Sequence, residues 1–286
     1  MEKDIDQRRA NLDVQRLREE FEGPHHLLTT SDGITLFLQE WPSQTPSDVA
    51  IMIFHGITAY SGPYGSIIAE ELNAAGFNVI GMNLRGHGLS DGVRGDYPNR
   101  KMAIRDICEA ITFVKEKYAR LVVLGHSLGA VQVGLAAMHC LSKLDGIILS
   151  SAARTARPGV YKKPTAGQTF KILFTALFSP GKRIIKYYRD GMTGVNDPLF
   201  NFAYSPRFMT ALSPKALAFP PEISCPILVT IGENDEIFSQ ESAIALLDEI
   251  PAKDKTMIVI PGAKHAEFPP GSWTQLIEWL NARYSP

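Results

Sequence analysis

The chain predicts an α/β protein with a mostly parallel central sheet flanked by helices. Three observations carry that prediction. Short apolar segments recur at residues 49–54, 78–82, 121–125, 146–150, 226–231 and 256–260. They are apolar on both faces and rich in Ile and Val, as parallel strands covered from both sides are. Helical patterns lie between them, and the interval 152–220 holds far more chain than a crossover needs, which marks an insertion.

Taken in order, residues 1–22 read as a polar helix with sparse apolar points at Ile5, Leu12, Leu17 and Phe21. Such weak amphipathicity suits a surface or oligomer-contact helix better than a membrane anchor. Residues 25–41 read as a hairpin, with a turn at Ser31-Asp32-Gly33 and alternation from Ile34 onward. Gly76 stops a helix that includes 67–72, and Ile104, Ile107, Ile111 and Val114 keep the spacing of one helical face. Another helix is expected over 130–141. The last opens with a capping box, Ser272 to Gln275, and buries Trp273, Leu276, Ile277 and Leu280. The expected organisation is an N-terminal extension (1–24), a core (25–151 and 221–286) and a helical cap inserted between its halves (152–220).

Bulk properties narrow the function. With 29 basic and 30 acidic residues the net charge is −1, which gives no reason to expect a nucleic-acid partner. No apolar run approaches the roughly 20 residues that span a bilayer. The first residues, MEKDIDQRRA, lack the apolar stretch of a secretory signal. Cys108, Cys140 and Cys225 are odd in number and far apart in sequence, and read as buried free thiols of a reducing compartment. The cytoplasm is the expected location. No cysteine or histidine spacing calls for a metal, and no cofactor is expected.

Candidate chemistry follows from position. In an open parallel sheet, ligands bind beyond the carboxyl ends of the strands. Gly125-His126-Ser127-Leu128-Gly129 stands between a strand and a helix, the setting of a nucleophile elbow. A bare Gly-x-Ser-x-Gly is weak evidence; in this setting it becomes strong. A serine nucleophile needs a base, and the base needs an orienting acid. Beyond the elbow lie His139, inside a helix and expected to pack, and His265, in a loop after the last strand. His265 is therefore the candidate base. Asp145 and Asp254 precede their strands and lie at the wrong end. Gly232-Glu-Asn-Asp-Glu236 follows a strand directly, and within it Asp235 is the chosen acid, with Glu233 and Glu236 as alternatives that spacing does not separate. Oxyanion donors are expected from the backbone of Leu128 and of Ile57, the latter in the loop His55-Gly56-Ile57-Thr58. His55 is expected to brace that loop.

A second stretch, Asn83-Leu-Arg-Gly-His-Gly-Leu-Ser-Asp91, also combines Ser, His and Asp. These lie too close in sequence to converge as nucleophile, base and acid. Gly86 and Gly88 suggest a tight turn, with Arg85 and His87 bracing it beneath the oxyanion loop.

Together these pieces resemble the α/β-hydrolase superfamily, and within it the monoacylglycerol lipase and lysophospholipase group, the serine-aminopeptidase-like branch. The resemblance rests on HG at 55–56, SGPY at 61–64, AGFNVIGMNLRGHGLSDG at 75–92, GHSLGA at 125–130, CPILVTIGENDEI at 225–237 and GAKHAEF at 262–268. It covers the core on both sides of the insertion. Two positions depart from the group's usual pattern: Asn83 stands where members commonly have Asp, and Ala130 where they have a second Gly. The resemblance implies an α/β-hydrolase fold, a triad of Ser127, Asp235 and His265, and oxyanion donors Ile57 and Leu128. The implied reaction is hydrolysis of an ester or lipid substrate such as an acylglycerol. Thioesterase, aminopeptidase and slow ligand-sensor activities are alternatives on the same fold.

The insertion carries no recognisable match. It holds Phe170, Phe174, Phe178, Tyr187, Tyr188, Phe200, Phe202, Phe208 and Met209, which suit either an acyl-chain lining or simple packing. Residues 152–190 carry Arg154, Arg157, Lys162, Lys163, Lys171, Lys182, Arg183, Lys186 and Arg189 against Asp190 alone. That excess suits peripheral contact with an anionic membrane surface and equally a solvated face. Oligomeric state is not legible.

Overall fold

The computed structural model describes residues 12–161, 163–188 and 192–284. The expectations for 1–11, including Ile5, and for Lys162, Arg189 and Asp190 lie outside them. The first helix described, α1 (Val14–Glu19), is capped by Asp13 and tied to the body by Arg18, 2.8 Å from Asp91. Phe21 then packs edge-on against Phe37.

The hairpin forms β1 (His25–Thr29) and β2 (Thr35–Trp41), turning through Gly33 at φ 80°. The expected core strands are present as β3 (Val49–Phe54), β4 (Asn78–Met82), β5 (Arg120–His126) and β6 (Gly146–Ser150). Two very short strands, β7 (Ile185–Lys186) and β8 (Ala203–Tyr204), pair with each other in the insertion. The core resumes with β9 (Ile227–Gly232) and β10 (Lys255–Ile260). The main sheet has the order β1-β2-β4-β3-β5-β6-β9-β10. All neighbours from β4 onward are parallel, while β2 runs antiparallel to both β1 and β4.

Helices cover both faces of the sheet. A π-helical turn (Gly65–Ala69) leads into α2 (Glu70–Ala74), which ends at Gly76 with φ 91°. α3 (Arg100–Lys115), capped by Asn99, buries Ile107, Ile111 and Val114. α4 (Gly129–Cys140) is buried along most of its length, as a helix leaving the centre of a sheet must be. The insertion contributes α5 (Ala166–Phe178), with a Thr165/Gln168 capping box, and α6 (Pro206–Ala211). α7 (Gln240–Glu249) and α8 (Thr274–Tyr284) complete the core.

Three local expectations are corrected. Helix α8 begins at Thr274, because the Ser272 hydroxyl donates to the Pro269 carbonyl (2.6 Å) and closes a turn before the helix starts. Ile277 on that helix is only partly buried, whereas Trp279 is buried. His139 does not pack; it is exposed at the end of α4, where the helix emerges from the sheet.

The 83–91 loop is a structural clamp. Gly86 and Gly88 take φ 70° and 49°, and a Cβ on Gly86 would collide with the Val93 carbonyl oxygen. The buried Arg85 guanidinium donates to Asp106 on α3 (2.7 and 2.8 Å) and to Asp32 in the hairpin turn (3.0 Å twice). Tyr97 donates to the same Asp106 carboxylate. Ser90 accepts from the Phe37 amide (2.9 Å) and Asp91 from the Thr35 amide (3.0 Å), so the loop fastens the antiparallel hairpin to the parallel sheet. Breaking a buried pair strands a charge at a cost of about 3–5 kcal/mol. Arg85→Ala should lose that much unfolding free energy in urea titrations. Arg85→Lys should recover only part of it, since an ammonium cannot serve two carboxylates with a planar fork.

Candidate active site

Ser127 sits between β5 and α4 with φ 55°, a left-handed conformation that costs a non-glycine residue on the order of 1–3 kcal/mol. Its neighbours enforce it. A Cβ on Gly125 would strike the Gly129 carbonyl oxygen, and a Cβ on Gly129 would strike that of Phe54. Only glycine at both positions lets α4 start so close to β3 and β5. The Ser127 amide donates to the Ser150 carbonyl on β6 (3.0 Å), which pins the turn to the next strand.

The loops after β9 and β10 bring their residues to this serine. His265 Nε2 lies 3.0 Å from Ser127 Oγ. Its Nδ1 lies 3.0 and 3.3 Å from the two carboxylate oxygens of Asp235. Asp235 is 1% exposed. Burial pushes its pKa up, but the His265 ring beside it and the amides of Phe238 and Ile237 (2.9 and 2.8 Å) more than reverse this, leaving it below the usual carboxylate value. The two alternative acids are occupied otherwise: Glu236 accepts from the His265 amide (3.0 Å) and Glu233 from that of Gly262 (2.8 Å). Asp145 and Asp254 pair with Lys115 and Arg283, away from the serine.

Ile57 lies in the loop after β3 and lines the cavity that also holds Ser127, and Leu128 follows the serine directly in the chain. Neither amide donates to a protein acceptor among the described residues. His55 braces the first of these loops from behind: Nδ1 donates to the Gly56 carbonyl (2.8 Å) and Nε2 accepts from the Leu84 amide (3.2 Å). Leu84 belongs to the glycine-rich clamp, which thus underpins the loop.

Four further residues hold the arrangement. His126 Nε2 faces the His265 carbonyl (2.8 Å), which can only accept, so Nε2 carries the proton. Its Nδ1 then accepts from Tyr64 Oη (2.7 Å), and that oxygen accepts from the Gly56 amide (3.0 Å). One chain of hydrogen bonds therefore joins the loop after β3 to the loop bearing His265. From the insertion, Asn201 N–H donates to Thr58 O (2.9 Å) and Tyr204 Oη to Ile57 O (2.5 Å). No sequence signal singles out Asn201 or Tyr204. Tyr64 and His126 lay inside quoted motifs, but only their convergence gives them a task.

Above Ser127 opens a cavity of about 270 Å³, lined mainly by apolar groups. The insertion contributes Tyr187, Met192 and Phe200, and Glu236 and Glu267 stand at the wall. Phe202 and Phe208 are buried. Phe170, Phe174 and Phe178 neither line the cavity nor pack inward: they are 70%, 54% and 65% exposed on α5, as are Leu173 and Leu177. Arg154 and Arg157 also turn away from any common basic face. Arg154 pairs with Glu249, and Arg157 Nε donates to the Asp235 carbonyl (2.9 Å).

Comparison with known proteins identifies the family. Residues 45–268 match the hydrolase family described as serine aminopeptidase, S33. Monoglyceride lipase of Rattus norvegicus is 27% identical over 85% of this chain and 82% of its own. Monoacylglycerol lipase of Mycolicibacterium smegmatis is 23% identical over 85% and 90%. Among solved structures, Paleococcus ferrophilus monoacylglycerol lipase superposes with a TM-score of 0.69 at 27% identity, covering 87% of this chain and 99% of that one. A soluble variant of Saccharomyces cerevisiae monoglyceride lipase, in complex with a substrate analogue, superposes with a TM-score of 0.74 at 18% identity, covering 93% and 96%.

The buried imidazoles make the site pH-sensitive. Burial pushes both His55 and His126 down to about 4; the Arg94 charge adds to this for His55 and the neighbouring His265 for His126. Above about pH 6.5 these rings are neutral in both folded and unfolded chains. Between there and about 4 only the unfolded chain takes up the protons, so stability falls as pH falls. Each ring should remove up to about 1.4 kcal/mol per pH unit in denaturant titrations across that window. Their NMR ring signals should stay unshifted from pH 8 to about 5. A transition near pH 6.5 for either ring would contradict this account.

Proposed function

Since the chain belongs to the α/β-hydrolase superfamily, in the family described as serine aminopeptidase, S33, we propose that it hydrolyses carboxylic esters of the acylglycerol type through an acyl-enzyme on Ser127. The observation that carries this reading is the Asp235–His265–Ser127 chain at the base of a mainly apolar cavity. His265 takes the Ser127 proton as Oγ attacks the ester carbonyl, and Asp235 stabilises the imidazolium that forms. The Ile57 and Leu128 amides receive the oxyanion. His265 returns the proton to the leaving alcohol and then activates the water that releases the acid. Residues 152–220 act as a cap over a core of 25–151 and 221–286, and 1–24 as an extension.

An aminopeptidase would need a carboxylate to hold the substrate amine. The cavity's Glu236 and Glu267 are engaged by the His265 amide and by Lys264. That favours an ester. Fluorophosphonate should label the wild type and not Ser127→Ala, and the substitution should lower kcat on monoacylglycerols by about 10⁴–10⁶. Equal turnover by wild type and variant would refute the assignment of Ser127. A labelled but inactive wild type would point to a ligand sensor.

No described helix is long and apolar enough to cross a membrane. Exposed Phe170, Leu173, Phe174, Leu177 and Phe178 on α5, with Lys163, Lys171, Lys182 and Lys186 exposed nearby in the chain, suit peripheral docking on an anionic bilayer from the cytoplasm. Sedimentation with phosphatidylserine vesicles at low salt should exceed that with neutral vesicles, and Leu173→Glu with Phe174→Glu should reduce it severalfold. Equal recovery on both vesicle types would remove the electrostatic part of this reading.

A further inference from the structure

Two of the cysteines, 32 residues apart in the chain, meet across the packed pair α3 and α4. The sulfurs of Cys108 and Cys140 are 2.6 Å apart, within a small shift of the roughly 2.05 Å of a disulfide. Their surroundings are unequal. Cys108 is partly exposed and lines an open surface depression with Arg105, Glu109 and Thr112, whereas Cys140 is 7% exposed behind it. Cys225, the third, is buried elsewhere, two residues before strand β9.

We propose that Cys108 and Cys140 are a redox-active thiol pair, with Cys108 the attacking and Cys140 the resolving sulfur, that closes to an intramolecular disulfide on reaction with a low-molecular-weight disulfide such as glutathione disulfide. The Cys108 thiolate attacks one sulfur of the oxidant, forming a mixed disulfide and expelling one thiolate, which takes up a proton. Cys140, losing its proton, then attacks the Cys108 sulfur and expels the second small thiol. The two cysteines are oxidised by two electrons, and one small disulfide is reduced to two thiols. The Cys140 hydrogen bond favours the Cys108 thiolate against the opposing effect of burial, and the nearby Lys143 ammonium favours it further.

The bond would staple α3 to the last residue of α4. Ser127 lies before the opposite end of that helix, so closure should raise stability and leave turnover unchanged. This inference does not depend on the ester reading.

Intact-mass analysis of the folded protein, incubated with glutathione disulfide and alkylated after denaturation, tests it. Of the three cysteines in the chain, wild type should retain one alkylatable thiol, yield a 108–140 cross-linked peptide, and show a Tm raised by about 5 °C. Dithiothreitol should restore all three thiols. Cys140→Ser should stop at a persistent glutathione adduct on Cys108, Cys108→Ser should keep both remaining thiols, and Cys225→Ser should still close. A wild type that keeps three alkylatable thiols, that halts at the glutathione adduct, or that links through Cys225 would overturn the proposal.

Discussion

Helix α4 begins so near the sheet that no side chain fits between them: a Cβ on Gly129 would collide with the Phe54 carbonyl, and one on Gly125 with the carbonyl of Gly129. The serine between them is forced into a left-handed conformation, and its hydroxyl stands clear of both strand and helix. The same close approach places the Leu128 amide next to Ser127 and brings the end of β3, with Gly56 and Ile57, alongside. Every other part of the site is arranged around a position that backbone packing alone defines. The strain at one residue is small against the burial of α4, which is apolar over almost all its surface.

Around that point the protein uses hydrogen bonds to hold loops that come from distant parts of the chain. Tyr64 and His126 couple the loop after β3 to the loop carrying His265. Asp235 is placed by the amides of Ile237 and Phe238 and by Arg157, which reaches its carbonyl from the insertion. Asn201 and Tyr204 hold Thr58 and Ile57 from above. The insertion therefore contributes to rigidity at the site as well as to the cavity wall. Its outer helix, α5, is different in kind: it buries little and presents aromatic and aliphatic side chains outward. Grouped exposed apolar side chains of this kind commonly mark an interaction surface.

The glycine-rich 83–91 loop shows why composition is a poor guide to chemistry. Its Ser and Asp fasten the loop to β2. Ser90 and Asp91 satisfy strand amides, and the His87 ring stacks near Tyr204 and meets Phe208 at a tilt. Arg85 joins the hairpin turn to α3 through two carboxylates. The loop adds its own bonds to the β2–β4 ladder that joins the antiparallel edge to the sheet.

The parallel strands, the elbow and the candidate residues Ser127 and His265 were legible because they are local. A strand, a turn and a helix in succession leave a readable pattern, and a loop's place after a strand says which end of the sheet it occupies. The choice of Asp235 over Glu233 and Glu236 was not local, since the three carboxylates share one turn. Only the folded turn shows two backbone amides and the His265 ring converging on the first of them, while the others take amides elsewhere. The same limit applies to the pairing of Cys108 with Cys140, to the exposure of α5 and of His139, and to the tasks of Tyr64, Asn201 and Tyr204. Sequence periodicity reports which residues share a face of one element. What that face meets depends on the packing of elements far apart in the chain, and only the tertiary structure decides it.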